Sequence, residues 1–152
     1  MPMADVQIRV LDSTALDDYR QHLLRLDGQT RHARFGWAMD DAGVNAHCLR
    51  LAGESPVVIG GYVDGVLRGG LELWPAGRCG EIVFSVETEW RRKGFGTALI
   101  ERAVAEAKQQ GMTSIEVDID EFGPSAVSLV RKFSAGGSRE DGRVSIAVPQ
   151  AA

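Results

Sequence analysis

Three cationic residues, Arg91, Arg92 and Lys93, stand directly before a glycine-rich turn in the stretch WRRKGFGTALIE, residues 90–101. An apolar stripe at helical spacing begins immediately after it. The first turn of a helix leaves backbone N–H groups unpaired, and the helix dipole favours negative charge there. Glycines let a ligand approach the chain without Cβ atoms in the way. The chemistry this arrangement suits is binding of an anion, a phosphate above all. The P-loop spacing G-x-x-x-x-G-K-[ST] is absent. The dinucleotide spacing G-x-G-x-x-G is met by Gly94 and Gly96 but fails at Leu99. The pattern R-x-x-G-x-G is met in full by Arg91, Gly94 and Gly96. The plainer reading is a strand-to-helix turn with solvated basic residues.

A second group of residues could move protons. Glu81 begins the run EIVF, an acid beside apolar neighbours, and burial there would raise its pKa. Glu87 and Glu89 lie at the other end of that run, nearer the turn, where a solvated surface role is expected. Cys79 could be an acyl acceptor, but no histidine is near it in sequence to activate it. His22, His32 and His47 are dispersed, and Cys48 and Cys79 form no metal-like spacing, so no metal site is expected. Trp37 and Trp74 are expected to pack in the core, with a substrate cleft as the alternative.

These residues need a scaffold. VQIRVL alternates and predicts a strand. STALDDYRQHLLRL follows as a helix behind a Ser/Thr cap, then DGQTRHARFG as a short helix and DDAGVNAHCLRLAG as a third, ending at Gly53 before Pro56. PVVIGGYVDG and VLRGGLELWP predict two strands joined at Asp64-Gly65, and EIVFSVE a third, largely buried strand. A helix over about 94–110, stopped by Gly111, separates EIVFSVE from the strand TSIEVDI. This strand, helix and strand imply a right-handed parallel crossover. PSAVSLVRKF predicts a short helix begun by Pro124, and two strands near 137–140 and 143–148 close the chain around Asp141-Gly142. The order predicts a mixed α/β sheet of six to seven strands, antiparallel early and parallel in the middle, flanked by helices.

The bulk properties bound the function. The 152 residues suit a single domain over 1–152. The net charge of −4 argues against nucleic acid as the main partner. No apolar run of about 18 residues suggests a membrane span. The start MPMADVQIRV lacks the features of a secretory signal, and a reduced cytoplasmic protein is expected.

EIVFSVETEWRRKGFGTALIERAVAEAKQQGMTSIEVDI resembles the core of the GNAT acetyltransferases, whose pyrophosphate signature is R-x-x-G-x-G. GPSAVSLVRKF is similar to the family segment N-x-x-A-x-x-L-Y, with Ala126 and Leu129 matching, Gly123 at the Asn and Val130 at the Tyr. TRHARFG is similar to a segment of the bacterial Pat-type protein-lysine acetyltransferases. The resemblance implies a GNAT fold and acetyl-CoA as co-substrate. It implies that Arg91, Arg92, Lys93, Gly94, Phe95, Gly96 and Thr97 surround the CoA pyrophosphate. It further implies that the main chain of Phe84 and Val86 pairs with the pantetheine arm, and that the Val86 N–H polarises the thioester carbonyl.

The resemblance makes the acceptor a primary amine, on a protein lysine or a small molecule. A lysine-like amine has a pKa of about 10.4 and must lose a proton before it attacks. Glu81 is the candidate base, and GEIVF is similar to the strand carrying the catalytic Glu in the histone-acetylating and Pat-type branches. The family's Tyr acid is missing at Val130. Ser128 lies off that helical face, and Tyr19 and Tyr62 are distant in sequence. The thiolate then leaves without a side-chain acid, or water protonates it. The missing Tyr and Asn also keep open an acyl-CoA-binding module that has lost catalysis. The protein is expected as a monomer or homodimer.

Overall fold

Asp12 starts the first helical segment of the chain. Its side chain accepts from the Thr14 backbone N–H and caps a short turn, Ser13–Ala15, that leads into helix α1, Leu16–Arg25. The cap is therefore Asp12, and the expected Ser/Thr pair lies inside the turn. Asp27 caps α2, Gly28–Phe35, and Asp40 caps α3, Asp41–Glu54, each by accepting a backbone N–H three residues on. Gly36, with φ 82°, ends α2, and Ser55 ends α3 in the left-handed region. The computed structural model describes residues 5–91, 93–118, 124–133, 139–140 and 143–150.

The strands are β1 (Gln7–Val10), β2 (Val57–Val63), β3 (Val66–Ala76), β4 (Cys79–Val86), β5 (Ser114–Asp118), β6 (Arg139–Glu140) and β7 (Arg143–Ala147). They form one sheet in the order β1-β2-β3-β4-β5-β7-β6. Asp64 and Gly65 both take positive φ, at 51° and 79°, which makes the tight β2–β3 turn whose twist matches the strands. The β4–β5 pair is parallel and the other pairs are antiparallel. Helix α4, Phe95–Gln109, makes the crossover between β4 and β5, and α5 runs Pro124–Phe133. The expected turn at Asp141-Gly142, and residues 137–138 of the expected strand, lie outside the described residues.

Strand alternation gives the sheet two different faces. Leu71, Leu73, Ile82 and Phe84 face α4 and join Leu99, Ile100 and Ala103 in one apolar cluster. The helices α1 and α3 cover the other side, where Tyr19, Leu23, Val44, Cys48 and Leu51 pack on Val58, Tyr62 and Leu67. Here the sheet also carries polar side chains: Glu72 is fully buried and Ser85 is 6% exposed. Close approach is bought with missing side chains. A Cβ on Gly70 would lie 2.3 Å from the Tyr19 ring, and one on Gly61 2.9 Å from that of Phe95. Among the described residues no helix is long and apolar enough to cross a membrane.

Candidate functional site

The parallel pairing of β4 with β5 stops early. Cys79, Gly80 and Glu81 register with Ser114, Ile115 and Glu116, whereas β3 accompanies β4 as far as Val86. Beyond Glu116, β5 continues along β7. The two parallel strands therefore part after Glu81. The Glu87 N–H donates to the Arg68 carbonyl at 3.0 Å, on the β3 side. Backbone amides alternate along a strand, so those of Phe84 and Val86 point to the side from which β5 has diverged. An extended chain entering there can add to β4 as a strand does.

The turn after β4 leads into helix α4. A short helical turn, Thr88–Trp90, precedes it, and Gly94 takes φ 87° as the N-cap of α4 without a side-chain cap. The first helical bond runs from the Ala98 N–H to the Gly94 carbonyl at 3.1 Å. The amides of Phe95, Gly96 and Thr97 come before it and are directed out of the helix end, where the dipole favours an anion. Gly96 serves packing as well, since a Cβ there would lie 2.3 Å from Leu129 Cδ2 of α5.

The side chains expected around this turn divide. Lys93 is exposed beside it. Arg91 donates from Nε to the Val86 carbonyl at 3.3 Å and from NH2 to Thr30 Oγ1 at 2.7 Å, so two of its donors serve the protein itself. Phe95 is 1% exposed and packs under the sheet, which leaves only its backbone for a ligand. Arg92 lies outside the described residues.

Glu81 is exposed, against the burial expected from its apolar neighbours in sequence. Its side chain is 56% exposed, and Arg143 NH1 lies 3.3 Å from Oε1 and 3.2 Å from Glu116 Oε2. Glu81 is the last residue of β4 in register with β5. It shares a face with Val83 and Ser85, the face that α1 and α2 cover. Glu87 corrects the opposite expectation. It is 8% exposed, accepts from Arg25 and from Arg68 Nη1, and lies 3.0 Å from His22 Nδ1. Burial pushes the Glu87 carboxyl up, but His22, Arg25 and Arg68 outweigh it and hold it below its ordinary value. His22 Nε2 meets Ser85 Oγ at 2.9 Å. Burial lowers the His22 pKa despite Glu87, so the ring stays neutral; Nδ1–H donates to the carboxylate and Nε2 accepts from Ser85.

A second polar cluster surrounds Glu72 at the middle of β3, opposite Val83 in the register. Its Oε2 accepts from Tyr19 at 2.6 Å, from Arg34 and from His47 Nε2 at 2.9 Å; its Oε1 accepts from Trp74 Nε1 at 2.9 Å. Burial raises the Glu72 carboxyl, but Arg34, then His47 and Tyr19, overcome it and bring it down to about 2. Glu72 and Arg34 were not candidates from sequence. The available signal was a lone acid in the apolar run GGLELW, where a charge inside a buried strand demands a partner. Trp74 is tied to this cluster, whereas Trp37, expected in the core, is 53% exposed. Tyr62 donates to Asp18 at 2.8 Å, and Val130, at the family's Tyr position, is fully buried. The Cys79 thiol lies beside Ser114, 3.2 Å away, with no histidine bonded to it among the described residues.

Residues 16–134 match the model of the family described as "Acetyltransferase (GNAT) family". No curated protein matches the chain. Many solved structures do. The GNAT domain of S. lividans PAT is 16% identical, with a TM-score of 0.68 over 93% of this chain and 89% of that one. The PaiA N-acetyltransferase of Thermoplasma acidophilum, in complex with coenzyme A, is 15% identical, with a TM-score of 0.66 over 94% and 98%. A GNAT superfamily phosphinothricin acetyltransferase of Sinorhizobium meliloti, in complex with AcCoA, is 16% identical, with a TM-score of 0.67 over 94% and 88%. Likeness at this level of identity shows the shared fold.

Proposed function

This chain belongs to the GNAT acetyltransferase family, and from that premise we propose that it transfers the acetyl group of acetyl-CoA to a primary amine, with a protein lysine as the acceptor class. The observation that carries the reading is the parting of β4 from β5 after Glu81, directly upstream of the uncapped start of α4. In this reading the pyrophosphate lies on the amides of Phe95, Gly96 and Thr97, with Lys93 nearby. Gly94 supplies the positive φ that turns the chain into the helix. The pantetheine arm pairs with the main chain of Phe84 and Val86. The Val86 N–H faces the thioester carbonyl and stabilises the oxyanion as the amine attacks.

The amine must shed a proton first. Glu81 is the acid at the point where the strands part, and its exposure assigns it proton removal through solvent water instead of from a desolvated pocket. The amine then forms a C–N bond to the carbonyl carbon, its nitrogen gives a second proton to water, the tetrahedral intermediate collapses, and the C–S bond breaks to release CoA thiolate. With Val130 buried at the Tyr position, the thiolate takes its proton from water.

Calorimetric titration with acetyl-CoA and release of free thiol in the presence of primary amines and lysine-rich protein test this directly. We expect binding, and thiol release that depends on the acceptor. Absence of acetyl-CoA binding would overturn the reading. Acetylation of small amines with none of protein lysines would move the acceptor to the small-molecule class.

A further inference from the structure

Helix α2 is fastened at both ends to parts of the proposed reaction site. At its start Asp27 Oδ1 accepts the Thr30 N–H at 2.7 Å, and Asp27 Oδ2 accepts from Thr88 Oγ1 at 2.6 Å. Thr30 Oγ1 accepts from Arg91 NH2 at 2.7 Å, and Arg91 Nε reaches the Val86 carbonyl at 3.3 Å. The Thr88–Asp27 and Arg91–Thr30 bonds each join residues 61 positions apart in the chain, and they meet the turn at its first residue and again at the arginine of its motif. At the other end of α2, Arg34 binds the buried Glu72, which also holds His47 and Trp74. Eight residues of helix, about 12 Å at 1.5 Å per residue, thus connect the anion-binding turn to the polar cluster opposite Val83.

We propose that Asp27 and Thr30 are positioning residues for the acetyl-CoA turn, and that through α2 they couple occupancy of that turn to the buried Arg34–Glu72 pair on β3. The inference rests on the acetyl-CoA reading of the turn. Its parts are suited to the task. Thr30 is 8% exposed, so its hydroxyl is held in place. The Thr88 hydroxyl first, then Thr30, hold the Asp27 carboxyl down at about 2, so it accepts as a carboxylate across the physiological range. Arg91 bridges Thr30 and the β4 carbonyl at the mouth of the parting strands. A pyrophosphate that settles on the turn therefore orders Thr88 and Arg91, and with them the N-terminus of α2. A short helix moves as a unit, so the displacement reaches Arg34 and the groups bound to Glu72. Coupling of this kind is reciprocal in the binding free energies: whatever CoA does to α2, fixing α2 does to CoA.

The test compares wild type with Thr30→Val, Thr30→Ser and the exposed Thr88→Ala. CoA affinity is measured by calorimetry, and amide hydrogen exchange over residues 28–35 is measured with and without CoA. Loss of one of these hydrogen bonds is expected to weaken CoA about three- to tenfold in Thr30→Val and in Thr88→Ala. Thr30→Ser, which keeps the hydroxyl, restores affinity. In wild type CoA slows exchange in 28–35, and in Thr30→Val that protection is lost even where the melting temperature is preserved. With acetyl-CoA as varied substrate, KM rises more than kcat falls. Wild-type affinity in both Thr30→Val and Thr88→Ala, or no CoA-dependent protection of 28–35 in wild type, would overturn the proposal while leaving the turn assignment standing. Failure of wild type to bind CoA at all would overturn both.

Discussion

The Glu72 carboxylate and the Arg34 guanidinium form an ion pair between the middle of β3 and the end of α2, with side-chain exposures of 0% and 4%. A pair this deep is costly to break from one side, because the survivor is a buried charge without its counterion. Arg34→Met should cost about 3–5 kcal/mol of folding stability, read by urea denaturation. The double variant Arg34→Met, Glu72→Leu should lose less than the sum of the two single losses. Additive losses would show that the pair is not coupled.

Acid should loosen the fold in two stages. His22 has a lowered folded pKa, so its contribution is complete above the ordinary value of 6.5 and shrinks as pH falls below it, since the unfolded chain takes up the proton first. Glu72 is held at about 2 against an ordinary 4.5, so its contribution is complete above about 4.5 and is lost between there and about 2. Glu87 is shifted in the same direction. Melting temperature against pH should therefore decline below about 6.5 and more steeply below about 4.5. Replacement of His22 by Gln should remove the first decline and leave the second.

Gly94 holds φ 87° at the start of α4, so any side chain there is strained. Gly94→Ala should cost about 1–2 kcal/mol of stability. Gly94→Glu adds bulk and a negative charge at the proposed pyrophosphate, and CoA affinity should fall by an order of magnitude or more. An unchanged dissociation constant would remove the pyrophosphate from this turn.

Glu81→Gln should lower acetylation about a hundredfold at neutral pH while CoA affinity is kept. Rates fitted over a pH series, with dissociation constants measured alongside, separate the two effects. If Glu81→Gln acetylates at the wild-type rate, the proton leaves by another route.

The glycine turn and the helix it opens were legible from local pattern. Gly94, Gly96 and the apolar stripe from Leu99 to Ala107 are contiguous in sequence, and turn chemistry and helical period act over the same short distance. The buried polar clusters were not. Glu72 meets Tyr19, Arg34 and His47 across separations of 53, 38 and 25 residues, and His22 meets Glu87 across 65. No spacing rule predicts such partners; the topology alone brings α1, α2 and α3 onto one face of β3 and β4. Glu87 shows the cost of local reasoning. Beside a solvated turn it looked like a surface acid, yet α1 covers it. Glu81 shows the reverse, since apolar neighbours in sequence did not bury the first exposed position of β4.

The strand order also bears on how copies of this protein behave in a crowded solution. The edges of the sheet are β1 and β6, its two shortest strands, of four and two residues. The long apolar strands β2 and β3 lie inside, each paired on both sides with strands of the same chain. β1 carries Arg9, whose guanidinium lies over the Tyr62 ring and bonds Gln7. A short edge strand with a charge on it is a poor template for a passing strand. The sheet is thereby guarded against edge-to-edge aggregation at the side where β1 ends it.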